Sequence, residues 1–420
     1  MAGTEACALR ILDGNAPYSK TEASFRALYF SFVVVGIFLA ITWLRKRFSG
    51  SPYVRKVCWS TEAEISALLD PPQTPIDQLL AARAIANERL IHAFDIHSTF
   101  VSADPLVRKS TRNQASLVIA AANRRGMEDL QKVASTAIHQ YLPSQSIPFD
   151  TFVQAVTFHL VAVSLLGAAS ESLVLADVIT VTNGINTLWQ LSKTSSPPPR
   201  ALLDEINFHL SRWIPDRTNS LELVIPAWEG MWRVIATAVA HAASGETISR
   251  AFTTFHISPT EAQFRAFEAD CPSVEAVITE VLRLYPPSRH ITRAIPNVFP
   301  LPSFLPRSIA GMLRSWLERG SHIEVADIET AQRIGYGETG GTFDPMRYRP
   351  SEANDGCPKI LAFSKGRLSC LASNWAPQVA AIVSAAILHQ VDGRGHKLLS
   401  GPRIGGREGW VGWVIEHNAS

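Results

Sequence analysis

The segment Phe363–Ala372, FSKGRLSCLA, places one cysteine, Cys370, four residues after Gly366. A cysteine that binds a metal as its thiolate needs backbone N–H donors and an apolar pocket that protects the sulfur. Gly366 would allow a tight backbone turn beside such a group. The apolar residues after Cys370 predict a helix, whose N-terminal dipole would stabilise the anionic sulfur. Taken alone, the segment favours an ordinary buried cysteine. Whether Cys370 binds a metal therefore depends on other parts of the chain.

Two upstream segments carry charged residues in a distinctive context. Residues 273–285 place apolar side chains at i, i+3, i+4 and i+7 spacing, which predicts an amphipathic helix. Glu280 and Arg283 lie three residues apart on it, and such a pair alone is usually a solvated surface pair. In Phe343–Tyr348, FDPMRY, Arg347 could supply the further hydrogen bonds that a buried Glu–Arg pair needs.

In this order, the three segments resemble the signature of the cytochrome P-450 family, in which ExxR, FxPxR and FxxGxxxC motifs recur together. The resemblance implies a mainly α fold with a small β portion, and a haem b cofactor (iron protoporphyrin IX) whose iron is ligated by Cys370. It also implies that Glu280, Arg283 and Arg347 form a structural triad behind the haem. Other residues of the cysteine loop would then contact the cofactor: Phe363, Gly366 and Arg367.

The segment after the ExxR helix, Pro286–Arg293 (PPSRHITR), lies where the family places a basic contact to a haem propionate. Arg293 is the first candidate, because a guanidinium matches a carboxylate bidentately. His290 or Arg289 is the second candidate. The alternative for each is an ordinary solvated charge on a loop.

A further apolar segment, Leu221–Ala240, predicts a central buried helix. Within it Glu229 and Gly230 resemble the distal oxygen-binding stretch of the family, with Pro226 expected to kink the helix. The resemblance implies that Glu229 relays protons towards the oxygen site. Two positions depart from the family pattern: Gly230 replaces the usual distal threonine, and Leu368 replaces the arginine expected two residues before the cysteine.

The expected activity is that of an NADPH- and O2-dependent monooxygenase, which inserts one oxygen atom into a hydrophobic small molecule. The phrases IPAWEGMWRV and GREGWVGW resemble fungal members acting on specialised metabolites, which suggests a terpenoid or polyketide substrate. Electrons would come from an NADPH-dependent flavoprotein reductase, attracted by Lys359, Lys365 and Arg367, unless these are ordinary solvated surface charges. Two alternatives stay open: a haem-thiolate isomerase or dehydratase, and a haem-free membrane scaffold, which the short domain suggests.

Composition limits the other classes of protein. Hydrophobic residues make up 46% of the 420 residues and charged residues 18%, with a net charge of +2 and no dense basic tract. A nucleic-acid partner is therefore not expected. The five cysteines are scattered and odd in number, which argues against a disulfide framework or a structural zinc site.

The N-terminal region contains an uncharged apolar run, Ala27–Leu44, which is followed at once by Arg45–Arg47. Its length and basic flank predict a single transmembrane signal anchor, with the rest of the chain on the cytosolic side of the endoplasmic reticulum membrane. The expected organisation is a non-cytosolic tail (1–26), an anchor (27–44), a linker (45–75) and a haem-thiolate catalytic domain (76–420).

Overall fold

The computed structural model describes residues 56–98, 100–194, 197–296, 321–350 and 360–418. The predicted tail and transmembrane anchor lie outside these described residues, as do Cys357 and Lys359. The mainly α fold with a small β portion is confirmed for the described part of the chain.

The helices are numbered here in chain order. They are α1 Glu62–Leu69, α2 Ile76–Asn87, α3 Arg89–Phe94, α4 Pro105–Arg125, α5 Met127–Tyr141, α6 Phe149–Leu166, α7 Leu175–Leu191, α8 Arg200–Trp213, α9 Leu221–Trp228, α10 Met231–Ser244, α11 Glu246–Ile257, α12 Glu261–Arg265, α13 Val274–Leu284, α14 Ile328–Ile334 and α15 Ala376–Gly393. The strands are β1 Lys56–Trp59, β2 Ser146–Pro148, β3 His290–Pro296, β4 Ser321–Asp327, β5 His396–Leu399 and β6 Val414–His417.

Three apolar helices form the centre of the core. Almost every side chain of α6 is buried, and α10 and α15 are buried over most of their length. In the described part of the chain, two helical stretches, Phe149–Leu166 and Leu221–Ser244, are long and apolar enough to cross a membrane. Their most apolar 18-residue windows are nevertheless 78% and 72% buried inside the protein. Helices that are apolar all round pack in this way at the centre of a large core.

Two small sheets lie outside the helical core. In the first, β4 is central, with β1 parallel to it on one side and β3 antiparallel on the other. In the second, β6 lies between β2 and β5, and both pairings are antiparallel. The first sheet matters for function because β3 continues directly from the segment that follows α13.

Part of the predicted linker, residues 45–75, instead belongs to the fold, because residues 56–69 form β1 and α1. Thr61 and Glu64 make a capping box at the start of α1, which satisfies backbone N–H groups that a helix start leaves free. Ile65 and Leu69 are fully buried on the same helix. The prolines at positions 71, 72 and 75 lie after the end of α1 and do not interrupt it.

Candidate functional site

Glu280 and Arg283 form an ion pair that has no exposure to solvent. Helix α13 begins after Ser273, whose hydroxyl accepts a hydrogen bond from the Ala276 N–H at 3.1 Å, an N-cap that fixes where the helix starts. Arg283 Nε donates to Glu280 Oε2 at 2.7 Å, and its Nη2 donates to Oε1 at 2.8 Å. The two side chains therefore meet in a bidentate arrangement, the strongest geometry for this kind of pair.

Arg347 joins this pair from the short helical turn Pro345–Tyr348. Its Nε donates to Glu280 Oε1 at 3.1 Å. The Asp344 N–H and the Tyr348 hydroxyl donate to the same carboxylate at 2.8 and 3.0 Å. A buried carboxylate with this many donors recovers much of the hydration that it loses on burial.

The electrostatics of Glu280 follow from these contacts. Burial alone raises the pKa of this carboxyl, but the hydrogen bond from Arg283, the Asp344 N–H and the charges of Arg283 and Arg347 outweigh it and lower the pKa. Arg283 also donates to the carbonyls of Gln332, Gly340 and Thr342, at 3.3, 2.6 and 3.0 Å. The group thus ties α13 to the chain that leads into the cysteine loop.

Cys370 lies at the end of a loop closed by backbone hydrogen bonds. Its N–H donates to the Phe363 carbonyl at 2.9 Å. The Cys370 side chain is exposed, whereas Cys271 is buried. The surrounding protein desolvates the thiol and raises its pKa, while the Ala372 N–H and the positive charge of Arg112 act in the opposite direction.

The helix predicted directly after Cys370 begins only at Ala376. Residues 371–375 form turns instead, so the N-terminus of α15 does not begin at the sulfur. The N–H of Ala372 takes over the part of a donor to the sulfur. The thiolate would therefore be stabilised by a single backbone N–H donor in a turn, and not by the dipole of a helix.

Gly366 and Arg367 dock the cysteine loop onto the connection between α1 and α2. Gly366 has φ +68°, and a Cβ at this position would lie 1.9 Å from Asp70 Oδ2, so only glycine fits. Arg367 Nε donates to Asp70 Oδ1 at 2.6 Å, and its other donors reach the carbonyls of Thr74 and Pro71 at 2.7 and 2.9 Å. Arg367, expected to contact the cofactor, is thus held by Asp70 and serves to position the loop.

Arg293 is the predicted basic residue that the structure places in a buried site. Its side chain is 3% exposed, its Nη1 donates to the Thr292 carbonyl at 2.9 Å, and its Nε has no hydrogen-bond partner among the described residues. Burial lowers the pKa of Arg293 to about 10. A guanidinium in this condition favours the arrival of an anionic partner.

The second candidates, His290 and Arg289, are in a different position. His290 is half exposed and lies 3.8 Å from Asp327. Arg289 is also half exposed, and its Nε is 3.3 Å from Glu329. Both side chains therefore have acidic partners at the surface, and Arg293 remains the candidate for a buried anion.

Three further arginines of this region, Arg83, Arg108 and Arg112, were not singled out from the sequence. Burial, together with the charges of Arg293, Arg108 and Arg112, lowers the pKa of Arg83 to about 10. Arg108 Nη2 also donates to the Arg367 carbonyl at 2.5 Å, which connects α4 to the cysteine loop. A signal was present in the sequence, because Arg83 interrupts the apolar run LLAARAIA of α2, and a lone charge on such a helix usually has a specific partner.

Glu229 and Gly230 lie at the break between α9 and α10, but Glu229 is not a free acid. Both of its carboxylate oxygens accept hydrogen bonds from Arg233 Nη2, at 2.6 Å each, and Oε1 also accepts from Arg407. A Cβ added at Gly230 would lie 3.3 Å from the Pro287 Cβ. The geometry does not support the expected proton relay through Glu229, because two guanidinium groups already occupy the carboxylate.

Comparison with known proteins identifies the fold. No protein-family model and no curated protein sequence matches the chain. Solved structures do match: the haem domain of cytochrome P450DA has a TM-score of 0.56 at 12% identity, over 86% of this chain and 85% of that one. Cytochrome P450epoK with epothilone D bound gives 0.52 at 13% identity, over 86% and 91%. The cytochrome P-450 haem domain of Tepidiphilus thermophilus gives 0.50 at 12%, over 90% and 92%. The chain has the cytochrome P-450 fold.

The residues present fit the haem group that this fold implies. Haem carries two propionate carboxylates, and the buried Arg293 offers an unsatisfied Nε beside the positive charge of Arg83. The same cluster includes Arg112, whose charge also acts on the Cys370 thiol. Arg112 thus lies close enough to act on both the cysteine sulfur and the buried Arg83. This arrangement suits a haem that has a thiolate ligand on its iron and two carboxylates at its edge.

Proposed function

We propose that this protein is a haem-thiolate monooxygenase that uses Cys370 as the iron ligand. The observation that supports this most directly is the association of the Cys370 loop with the buried Arg293 and Arg83. Neither feature has an evident structural use, because Arg293 forms no ion pair within the described ranges and Cys370 is an exposed free thiol. One cofactor with a thiolate ligand and two carboxylates accounts for both.

When bound through a thiolate, haem supplies the activation of O2 and the transfer of one oxygen atom to a substrate. The residues of the chain support that chemistry. The Ala372 N–H would stabilise charge on the sulfur, and Arg293 with Arg83 would hold the haem propionates. Glu280, Arg283 and Arg347 hold the segment before the cysteine loop in place.

A reduced carbon-monoxide difference spectrum of the purified full-length chain tests this proposal. The intact protein should give the long-wavelength Soret band of a thiolate ligand, and Cys370→Ser should lose it because a weaker oxygen ligand replaces sulfur. Cys58→Ser is the matched control, since Cys58 is also an exposed free thiol and should leave the band unchanged. A protein that carries no haem would instead be a membrane scaffold.

A second candidate, a haem-thiolate isomerase or dehydratase, is favoured by the state of the distal residues. Glu229 is occupied by Arg233 and Arg407, and Gly230 carries no hydroxyl, so the usual route for protons is missing. An enzyme that rearranges an already oxygenated substrate needs neither this route nor a reductase. Turnover in membranes with and without NADPH distinguishes the two activities, since only the monooxygenase depends on NADPH.

The remaining parts of the proposal concern partners and location. The proposed monooxygenase takes electrons from NADPH through a flavoprotein reductase, acts on a hydrophobic terpenoid or polyketide, and is anchored in the endoplasmic reticulum membrane by residues 27–44. Two residues proposed to attract the reductase have acidic neighbours within the protein: Lys365 Nζ lies 3.9 Å from Glu62 Oε1, and Arg367 pairs with Asp70. These bonds leave less positive charge for an acidic partner.

A further inference from the structure

A group of charged side chains surrounds Glu229, outside the residues that hold the haem. We call it the Trp189 cluster, and its members are Arg89, Trp189, Lys193, Glu229, Arg233 and Arg407. It is assembled from α3, from α7 and the turn after it, from the break between α9 and α10, from α10 itself and from the C-terminal loop. Segments so distant in sequence come together here in the same way that ligand pockets are commonly built.

Two arginines of the Trp189 cluster share one aromatic ring. The guanidinium carbons of Arg89 and Arg407 lie 5.1 and 5.3 Å from the centroid of the Trp189 ring. Phe94 adds a second ring, with its centroid 6.1 Å from that of Trp189. The charged groups are therefore held against an apolar, aromatic surface, where an aromatic face attracts cations and also excludes water.

The charges of the cluster do not balance. Four cationic side chains, on Arg89, Lys193, Arg233 and Arg407, act together with one carboxylate, that of Glu229. No second carboxylate forms an ion pair with Arg89 or Arg407 in the described part of the chain, and the only side chain to which Arg89 donates there is Ser192. Lys193 is exposed, but the three guanidinium groups are partly buried, and like charges in such a space repel one another unless an anion compensates them.

The pKa shifts of the cluster are consistent with its excess of positive charge. Burial lowers the pKa of Arg407, with Glu229 acting against it, and burial likewise lowers the pKa of Arg89. Burial and then the charges of Arg407 and Arg89 lower the pKa of Lys193. Each cation would gain from an additional negative charge nearby.

The cluster is connected to the proposed haem site through the chain that follows α13. Arg233 Nη1 donates to the Pro287 carbonyl at 2.9 Å, and Gly230 packs against the Pro287 ring. Pro287 lies between Glu280 and Arg283 on one side and Arg293 on the other. One short segment thus links the residues around Glu229 to the residues that would hold the haem.

We propose that the substrate is an apolar carboxylic acid, whose carboxylate binds Arg89 and Arg407 beside Trp189. The excess of guanidinium groups over carboxylates in this aromatic-walled cluster is the observation that carries the proposal. A guanidinium presents its donors in a planar fork that a carboxylate fits, and the rings would contact the apolar body of the molecule. That this anion site receives the substrate rests on the proposed haem-thiolate function, but the site itself does not.

A binding measurement with a matched pair of probes tests the proposal. Biphenylcarboxylate and its neutral amide, biphenylcarboxamide, have nearly the same shape and differ in charge. Calorimetric titration of the full-length protein should give an affinity for the acid at least about tenfold higher than for the amide, since charge-assisted bonds are roughly twice as strong as neutral ones. Equal affinities, or no binding of the acid, would overturn the proposal.

Variants locate the site within the chain. Arg89→Gln should weaken binding of the acid about tenfold and leave binding of the amide unchanged, and Arg89→Lys should give an intermediate loss because it keeps the charge without the fork. Arg212→Gln is the matched control: Arg212 also lies over an aromatic ring, that of Phe208 at 5.6 Å, but it is half exposed and close to Asp177. A loss of both ligands in Arg89→Gln and Arg89→Lys would identify Arg89 as a structural residue and contradict the proposal.

The haem content of the same preparation separates this proposal from the proposed function. Selective binding of the acid by a protein without haem would retain the anion site and overturn the haem-thiolate activity. Haem-loaded protein that does not distinguish acid from amide would do the reverse.

Discussion

Glu280 makes no contact with solvent, and its charge is maintained entirely by the protein around it. Its two oxygens accept from Arg283, Arg347, Tyr348 and the Asp344 N–H. Removing a partner from such a group costs more than the hydrogen bond itself, because the remaining charge stays buried and uncompensated. The triad is therefore a point of structural dependence, and it lies on the chain that positions the cysteine loop.

At the scale of this residue, we predict that Glu280→Gln lowers the free energy of unfolding by about 3–5 kcal/mol. The substitution keeps the shape of the side chain but leaves Arg283 buried without its counter-ion. Urea unfolding followed by tryptophan fluorescence measures the change. Glu275→Gln on the same helix is the control, since Glu275 is only partly buried and lies 3.6 Å from the exposed Arg265. It should change stability by less than about 1 kcal/mol.

The stability of the wild type and of Glu280→Gln should depend differently on pH, and the pKa of Glu280 determines the direction of the difference. The pKa of Glu280 is lowered in the folded protein from its ordinary value of 4.5. A lowered pKa contributes stability that is fully present above the ordinary pKa and is lost as the pH falls through the lowered value. The stability difference between the wild type and Glu280→Gln should thus be largest near neutral pH and shrink below about pH 4.5. A difference that stays constant into acid would show that the ionised carboxylate is not its source.

At the scale of elements, the cysteine loop depends on a partner far away in sequence. Asp70 and Arg367 are separated by 297 positions, yet Asp70 also fills the space beside the Cα of Gly366. The spacing of Phe363, Gly366 and Cys370 predicted the loop, because local backbone requirements appear directly in the residue types. Nothing in that spacing indicates Asp70, since pairing across most of the chain is a property of the tertiary fold.

We predict that Asp70→Ala loosens the loop and speeds the loss of haem. The lost charge-assisted bonds to Arg367 are each worth about 1.5–3 kcal/mol, so haem transfer to a scavenging apoprotein should become roughly ten times faster. Asp216→Ala is the control, because Asp216 is an exposed aspartate in the turn after α8. Unchanged transfer by the Asp70 variant would mean that Arg367 does not position the loop.

Tertiary contacts that the sequence does not show also explain why Glu229 is not the free acid that the sequence suggested. Apolar residues on all sides of Leu221–Ala240 predicted a buried helix, and the break after Trp228 lies close to the expected kink at Pro226. The sequence shows the acid and, four residues later, its partner Arg233, but the second partner, Arg407, lies 178 positions away. Periodicity describes one element at a time, so an ion pair between two elements changes a residue's chemistry without leaving a local signal.

At the scale of the whole molecule, the fold begins earlier than the prolines at positions 71, 72 and 75 suggested. β1 pairs with β4 from Lys56 to Trp59, and Trp59 Nε1 donates to Glu324 at 2.9 Å. Ile65 and Leu69 of α1 are fully buried, and each such side chain contributes about 1.5–3 kcal/mol by leaving water. The net stability of a typical domain is only about 5–15 kcal/mol, so loss of this burial and of the Asp70 contacts would be a large change.

Two truncations therefore should behave differently. Removal of residues 1–47 deletes the proposed anchor and leaves β1 and α1, so this protein should leave the membrane fraction and keep its carbon-monoxide spectrum. Removal of residues 1–75 also deletes β1, α1 and Asp70, and it should yield insoluble protein without haem. Fractionation and spectra of both proteins measure the outcome, with the intact chain in membranes as the control. A soluble, haem-loaded chain that starts at residue 76 would show that β1 and α1 are dispensable, and an intact chain that is fully soluble would exclude the anchor.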